Sequence, residues 1–242
     1  MRRLIAIAAC AAAACASASS GGGGDDEPVA DARPDGPRVD GGDIDAPPMI
    51  DAGPTAVTLT QTTSMMIGSA SSIACGNPDG TTAENSWYRV FRLADANIVG
   101  GLRVNAVTFG VQESLGLPPV QVKIGTYSGN VQPPPAQLDT ALITPVTATT
   151  FMVPNTQSTA PTTVIVPITA NVPALSQMVV EVFAPSYSGQ SKYFYLGGNA
   201  GGESKPAYLR APSGNCATPQ PRTTAALGFA DSHLVITVSG TY

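Results

Sequence analysis

The segment ENSWYRVFRL, residues 84–93, concentrates bulk and charge in a chain that is otherwise rich in Ala, Thr, Val, Gly and Pro. As a strand, it presents one bulky face made of Trp87, Arg89, Phe91 and Leu93, and a second face made of Tyr88, Val90 and Arg92. As a helix, it would align Trp87, Val90, Phe91, Ala94 and Ile98 instead, and residues 81–99 contain no Gly or Pro to prevent this. Its aromatic and β-branched content favours the strand.

A strand at this position places Arg89 among large apolar side chains. An unpaired buried charge is costly, so we expect its guanidinium to bind a carboxylate or loop carbonyls at the rim of the fold. The segment is therefore predicted to be a core strand. A ligand platform is the alternative, because aromatic faces also bind ligands.

Residues 55–242 repeat the two-residue alternation in short runs separated by Gly and Pro. The clearest inward-facing sets come from VQVKIGTY (120–127), QMVVEVFA (177–184) and HLVITVSG (233–240): Val120, Val122, Ile124, Met178, Val180, Val182, Leu234, Ile236 and Val238. Similar runs occur at 103–111, 162–168, 192–197 and 207–211. Seven to ten short strands with polar residues facing outward predict one all-β domain, an antiparallel β-sandwich or jelly roll.

The N-terminus, MRRLIAIAACAAAACASASSGGGGDDEP, joins two arginines to an apolar run that ends at Ala14. This run suits a secretory signal peptide over 1–14 and is shorter than the roughly 20 residues of a membrane-spanning helix. Small residues before Cys15 and a flexible polar run after it resemble the lipobox of bacterial lipoproteins. The resemblance implies cleavage before Cys15 and acylation of its thiol. Cys10 also fits the lipobox letters, and an ordinary signal peptide cut near Ala14 or Ala18 is a further alternative.

An acidic linker follows over residues 15–54. Nine acidic residues between 21 and 54 are set against only Arg33 and Arg38, whereas residues 55–242 hold equal numbers of acidic and basic side chains. The net charge of −5 is therefore the sum of −7 from the linker, zero from residues 55–242 and +2 from Arg2 and Arg3. The linker is predicted to be disordered because it cannot bury enough apolar area. The neutral domain argues against a nucleic-acid partner.

Cys75 and Cys216 are the cysteines that remain outside the N-terminal segment. In the oxidising environment expected for an exported chain, they are predicted to form a disulfide. Their spacing fits no zinc motif, and His233 is the only histidine. A surface or rim position is expected for His233, since it falls on the polar face of its strand.

No catalytic constellation is recognisable, and we expect a non-enzymatic protein without a cofactor. The run Asp231-Ser232-His233 contains the residue types of a triad, but neighbouring strand residues point to opposite faces. Scattered carboxylates leave a divergent hydrolase as an alternative. The segment CGNPDGTTAEN (75–85) contains possible oxygen ligands for a structural calcium ion, Asn77, Asp79 and Glu84. A polar turn without a metal is the favoured interpretation of this segment.

The segment YFYLGGNAGGESKPAYLRAP (193–212) is the candidate ligand site. It combines aromatic, amide and basic side chains, and the residues predicted to bind a ligand are Tyr193, Tyr195, Asn199, Lys205, Tyr208 and Arg210. Aromatic faces beside hydrogen-bonding groups suit sugars, whose C–H faces stack while their hydroxyls form hydrogen bonds. A long β-hairpin that binds no ligand is the alternative interpretation of the same residues.

The segments NSWYRVFRL, VTFGV, MVVEVF, GGNAGG, YLRAP and LGFADSHLVITVSG together resemble a β-sandwich accessory module of bacterial secreted and surface proteins. The resemblance covers about 55–242 and implies a non-catalytic module. The whole layout is similar to that of surface lipoproteins of myxobacteria-like organisms. It implies an outer-membrane or cell-surface lipoprotein that contacts the membrane through its lipid and binds a glycan or an envelope protein. A secreted or periplasmic protein, and a structural envelope component without a small ligand, are the alternatives.

Overall fold

The computed structural model describes residues 53–69, 71–213 and 216–242. The predicted signal peptide (1–14), the lipidation site Cys15 with its alternative Cys10, and almost all of the linker lie outside these residues. The described residues belong to one compact unit, Asp51–Tyr242. Among them, no helix has the length and apolar character that crossing a membrane requires.

Antiparallel strands dominate the described residues: β1 Ala56–Leu59, β2 Asn85–Arg92, β3 Leu102–Leu115, β4 Pro119–Tyr127, β5 Ile143–Met152, β6 Thr162–Val172, β7 Gln177–Ala184, β8 Tyr193–Leu196, β9 Gly198–Asn199, β10 Tyr208–Ala211, β11 Thr218–Thr223, β12 His233–Leu234 and β13 Ile236–Thr241. One sheet has the order β1-β13-β3-β6, with β8 also paired to β3. The second sheet has the order β11-β10-β2-β7-β4-β5, and β9 pairs with β12. The predicted all-β sandwich is confirmed.

The segment ENSWYRVFRL (84–93) forms strand β2, in the middle of the six-stranded sheet between β10 and β7. Trp87 pairs with Val182 and Arg89 with Val180 across the β2–β7 ladder. The helical alternative is wrong for β2. Within residues 81–99, helical geometry is limited to one 3₁₀ turn, Leu93–Ala96, which ends at Asn97 with a left-handed φ of 57°.

The main core lies between the two sheets and contains the inward faces predicted from the alternation. All nine side chains predicted from the three clearest runs are buried, with 0–1% exposure. Trp87 and Phe109 both contact Phe194 edge to face, at centroid distances of 5.5 and 5.9 Å. The indole of Trp87 donates a hydrogen bond of 2.7 Å to the carbonyl of Ile73, so its polar group is satisfied inside the core.

A second apolar cluster covers the outer face of the six-stranded sheet. Its members are Tyr88, Val90, Tyr127, Val131, Leu138, Val179 and Tyr208. Val131 and Leu138 belong to the connection between β4 and β5, which lies over the sheet. The expectation of polar outward faces is therefore wrong for Tyr88 and Val90 of β2 and for Val179 of β7, because this connection supplies a third layer that buries them. It is confirmed for Glu181 of β7, which lies on the outer face and binds Lys123.

The predicted disulfide between Cys75 and Cys216 is confirmed, with a Cα–Cα distance of 6.0 Å and a sequence separation of 141 residues. It joins the segment before β2 to the segment before β11. Closing a loop of this length removes chain entropy from the unfolded state, which stabilises the fold by up to about 5 kcal/mol. Structural disulfides of this kind are typical of proteins that fold outside the reducing cytoplasm.

Candidate functional site

The prediction for Arg89 is confirmed, because its guanidinium binds a carboxylate and two backbone carbonyls, of which that of Lys205 lies in a loop. Arg89 is 0% exposed, and its Nη1 lies 2.7 Å from Oε2 of Glu203. Nη1 also donates to the carbonyl of Lys205 at 2.7 Å, and Nη2 donates to the carbonyl of Leu234. Burial lowers the pKa of Arg89, while Glu203 opposes this shift. The guanidinium therefore stays charged and ties three distant segments together.

Glu203 also faces His233. Nδ1 of His233 lies 3.6 Å from Oε2 of Glu203, and the His233 side chain is 12% exposed. Among the described residues this buried nitrogen has no hydrogen-bond partner. His233 thus sits at the rim as expected, but most of its side chain is covered. The neighbouring Ser232 donates its hydroxyl to the carbonyl of Ser71 at 2.9 Å.

A cleft of about 230 Å³ opens beside this network at the end of β2. We call it the rim cleft; its lining includes Leu59, Gln61, Phe91, Arg92, Asp95 and Lys205. Asp95 lies 2.9 Å from Nη1 of Arg92 and 3.8 Å from Nζ of Lys205. Two cations face one carboxylate, so the lining keeps a net positive charge. The cleft therefore favours neutral or anionic ligands over cationic ones.

The three predicted calcium ligands are bonded within the protein. Asp79 accepts hydrogen bonds from Thr81, Ser188 and Gly189, and Asn77 donates through its amide nitrogen to the carbonyl of Thr82. Glu84 lies 2.8 Å from the guanidinium of Arg210. No group of three or more His, Cys, Asp or Glu side chains in the described part of the chain is placed to hold a metal. Asn77 and Asp79 thus brace the turn between Cys75 and β2.

The six predicted ligand residues do not come together in one site. Asn199 is buried and donates to Ser64 at 2.7 Å, while Lys205 lies in the rim cleft. Tyr208 belongs to the outer apolar cluster, where burial raises its pKa to about 12. Arg210 binds Glu84 and the carbonyl of Pro219. Only Tyr193 and Tyr195 share one accessible face, because they alternate with the buried Phe194 and Leu196 on β8.

Tyr193 and Tyr195 form a small surface with Glu113 of β3, which we call the tyrosine patch. The two rings are 5.7 Å apart between centroids and inclined by 46°. The hydroxyl of Tyr193 donates to Oε1 of Glu113 at 2.9 Å, and Tyr195 is paired with Glu113 across the ladder. Burial raises the pKa of both phenols, and the Glu113 carboxylate raises each further. Both hydroxyls therefore stay protonated at neutral pH.

Glu113 is the site residue that the sequence did not indicate. Strict alternation from Phe109 and Val111 would turn Glu113 toward the core. The pairing of β3 with β8 shifts register between Val111 and Glu113, so Gln112 becomes an extra residue and Glu113 faces outward. Gln112 instead accepts a hydrogen bond of 2.6 Å from the backbone amide of Ser72. The sequence predicted a run over 103–111, which ends before Gln112, and nothing in the residues that follow marks the bulge.

Comparison with known proteins adds little to this geometry. No family model matches the chain, and no curated protein matches it at a significant level. Among solved structures, the chain is similar to one of the cysteine protease and lectin-like domains of a surface-layer-associated protein of Clostridium difficile. The identity is 10% and the TM-score 0.41, and the match covers 66% of this chain and 32% of that one. We draw no functional conclusion from so distant a likeness.

Proposed function

We propose that this chain is an exported, lipid-anchored envelope protein whose β-sandwich binds carbohydrate without catalysing a reaction. The observation that carries the proposal is the tyrosine patch, in which two partly exposed rings lie beside a carboxylate. The rings offer apolar faces to sugar C–H groups, and the phenols and Glu113 offer hydrogen bonds to sugar hydroxyls. This combination is what a neutral sugar requires.

The rigidity of the tyrosine patch also supports binding. Phe194, between the two tyrosines, is fully buried and contacts both Trp87 and Phe109 in the core. The hydrogen bond to Glu113 further restricts the ring of Tyr193. Because little side-chain freedom remains to be lost, ligand binding costs less conformational entropy than it would on a mobile loop.

Glycan binding is tested with residues 53–242 on a glycan array, followed by titration of any sugar that is bound. We expect Tyr193→Ala and Tyr195→Ala each to weaken binding about tenfold, since one aromatic contact contributes about 1 kcal/mol or slightly more. Tyr242→Ala is the matched control, because Tyr242 is also surface-exposed, at 43%, and lies outside the patch. Failure to bind any glycan, or an equal loss in the Tyr242 variant, would contradict the proposal.

Binding of a neighbouring envelope protein is the second candidate function. Leu115 pairs with Tyr193 across the β3–β8 ladder, and Leu115 and Leu117 are 45% and 51% exposed. These side chains extend the tyrosine patch with an apolar surface that a sugar would not use. Partner capture from envelope extracts that is lost in Leu117→Ser, together with no glycan binding, would favour this second function.

Anchoring through Cys15 rests on the lipobox resemblance. We expect the Cys15→Ser variant to leave the membrane fraction and appear in the soluble fraction, because the acyl chains supply the membrane affinity. Cys10→Ser is the matched control and should remain in the membrane fraction. Release of the Cys10 variant instead would move the anchor to that residue.

A further inference from the structure

The strands at the ends of the two sheets differ in how their free sides are protected. β11 carries Pro219 and Pro221, and residues 136–138 form backbone hydrogen bonds with its outer side. β1 has only four residues, and β6 contains Pro167 near its centre. Short length, proline and covering segments are the usual ways in which an edge strand avoids pairing with another chain.

β5 lacks these protections over most of its length. It has ten residues, none of which is buried, and it pairs with β4 on one side. In the described part of the chain, no strand pairs with its other side. Pro145 lies near its beginning, but Val146–Met152 contains neither Pro nor Gly. This segment therefore presents a free row of backbone N–H and C=O groups.

β5 itself also carries no charge, and Lys123 of β4, which pairs with Ala148, is bound to Glu181. Residues 140–180, which include all of β5 and β6, contain no Asp, Glu, Lys, Arg or His. Val146 and Met152 of β5 are 40% and 51% exposed, and Ile165 of β6 is 64% exposed. Charged side chains on an edge strand hinder its pairing with another chain, so their absence leaves β5 able to pair with a further strand.

We propose that β5 pairs antiparallel with β5 of a second copy of this chain, which joins the two six-stranded sheets into one. Pairing across a two-fold axis places Val146–Met152 of one copy against the same segment of the other. Any charges on this segment would therefore have to be complementary to themselves. An uncharged segment meets its copy without repulsion and offers nothing to a charged partner. If all of Val146–Met152 pairs with the same segment of the second copy, the two-fold axis passes between the two Thr149 residues. Ala148 of one copy then lies opposite Thr150 of the other.

Sedimentation of residues 53–242 tests this pairing, which does not depend on carbohydrate binding. We expect a dimer for the unchanged protein and a shift to monomer in Thr150→Lys, because Thr150 is exposed, pairs with the uncharged Gln121 of β4, and a lysine there disfavours edge pairing. Asn105→Lys adds the same charge to an exposed position on the central strand β3 and should leave the dimer intact. A monomer at the highest soluble concentration, or equal effects of both lysines, would overturn the proposal.

A charge-exchange experiment tests the register itself. Ala148→Glu alone should also weaken the dimer, whereas a mixture of Thr150→Lys and Ala148→Glu copies should dimerise again, because opposite charges then face each other. Trp87 fluorescence and the melting temperature of each variant report whether the fold is intact. Folded variants whose mixture stays monomeric would rule out the proposed register, and with it this mode of pairing.

Discussion

The buried guanidinium of Arg89 provides the sharpest test of how this fold is held together. Arg89→Met keeps a side chain of similar length but removes an ion pair to Glu203 and hydrogen bonds to the carbonyls of Lys205 and Leu234. A buried polar group that loses its partner costs about 1–3 kcal/mol, and breaking a buried ion pair costs about 3–5 kcal/mol in total. Glu203 is 14% exposed, so water can solvate part of its charge. We therefore expect a loss of about 4 kcal/mol in the free energy of unfolding.

Urea unfolding followed by fluorescence measures this loss, since Trp87 is the only tryptophan and is fully buried. Arg92→Met is the matched control on the same strand. Its ion pair with Asp95 is 29% and 39% exposed, so its loss should cost less than about 0.5 kcal/mol. If both variants lost the same amount, the effect would come from strand β2 in general and not from burial of the charge.

A double-mutant cycle separates the ion pair from the carbonyl bonds. Glu203→Gln removes the counter-charge, and Arg89→Met in that background should cost about 1–3 kcal/mol less than it does in the unchanged protein. The difference is the coupling between the two side chains. Additive losses, or a loss below about 1 kcal/mol for Arg89→Met alone, would refute the account of this network.

Three further predictions concern pH and the disulfide. Hydrogen bonds, first from the Thr81 hydroxyl, lower the pKa of Asp79 from 3.8 to about 2. The contribution of Asp79 to stability is therefore present above pH 3.8 and is lost as the pH falls toward 2. The urea midpoint of Asp79→Asn should change less over this pH range than that of the unchanged protein. Burial raises the pKa of Tyr208 from 10.0 to about 12. The neutral phenol therefore contributes stability below pH 10.0 that is lost as the pH approaches 12. An absorbance titration of Tyr208→Phe should lack one of the phenols that ionise well above pH 10.0 in the unchanged protein. Joint replacement of Cys75 and Cys216 by Ser should lower the free energy of unfolding by up to about 5 kcal/mol, and an unchanged urea midpoint would argue against the loop-entropy account.

The candidate site was only partly accessible to prediction. Tyr193 and Tyr195 share a face because they stand two residues apart on a strand, which is a local property of the chain. Their partner Glu113 depends on a bulge in β3, which arises from how β3 pairs with β8. The segment 193–212 was predicted to form a single ligand site or a long hairpin, yet the fold places Asn199, Lys205 and Arg210 in three separate surroundings.

The sequence by itself determined properties that depend on a few residues: the alternating apolar faces, the presence of two thiols able to pair, and the need of Arg89 for a partner. Which partner it has was decided only by the tertiary structure, since Glu203 lies 114 residues further along the chain. The same holds for the outer face of β2, which Val131 and Leu138 cover from a distant connection. Alternation and the cost of burying a charge act within a few residues, whereas the identity of a contact depends on the register of strands far apart in the chain.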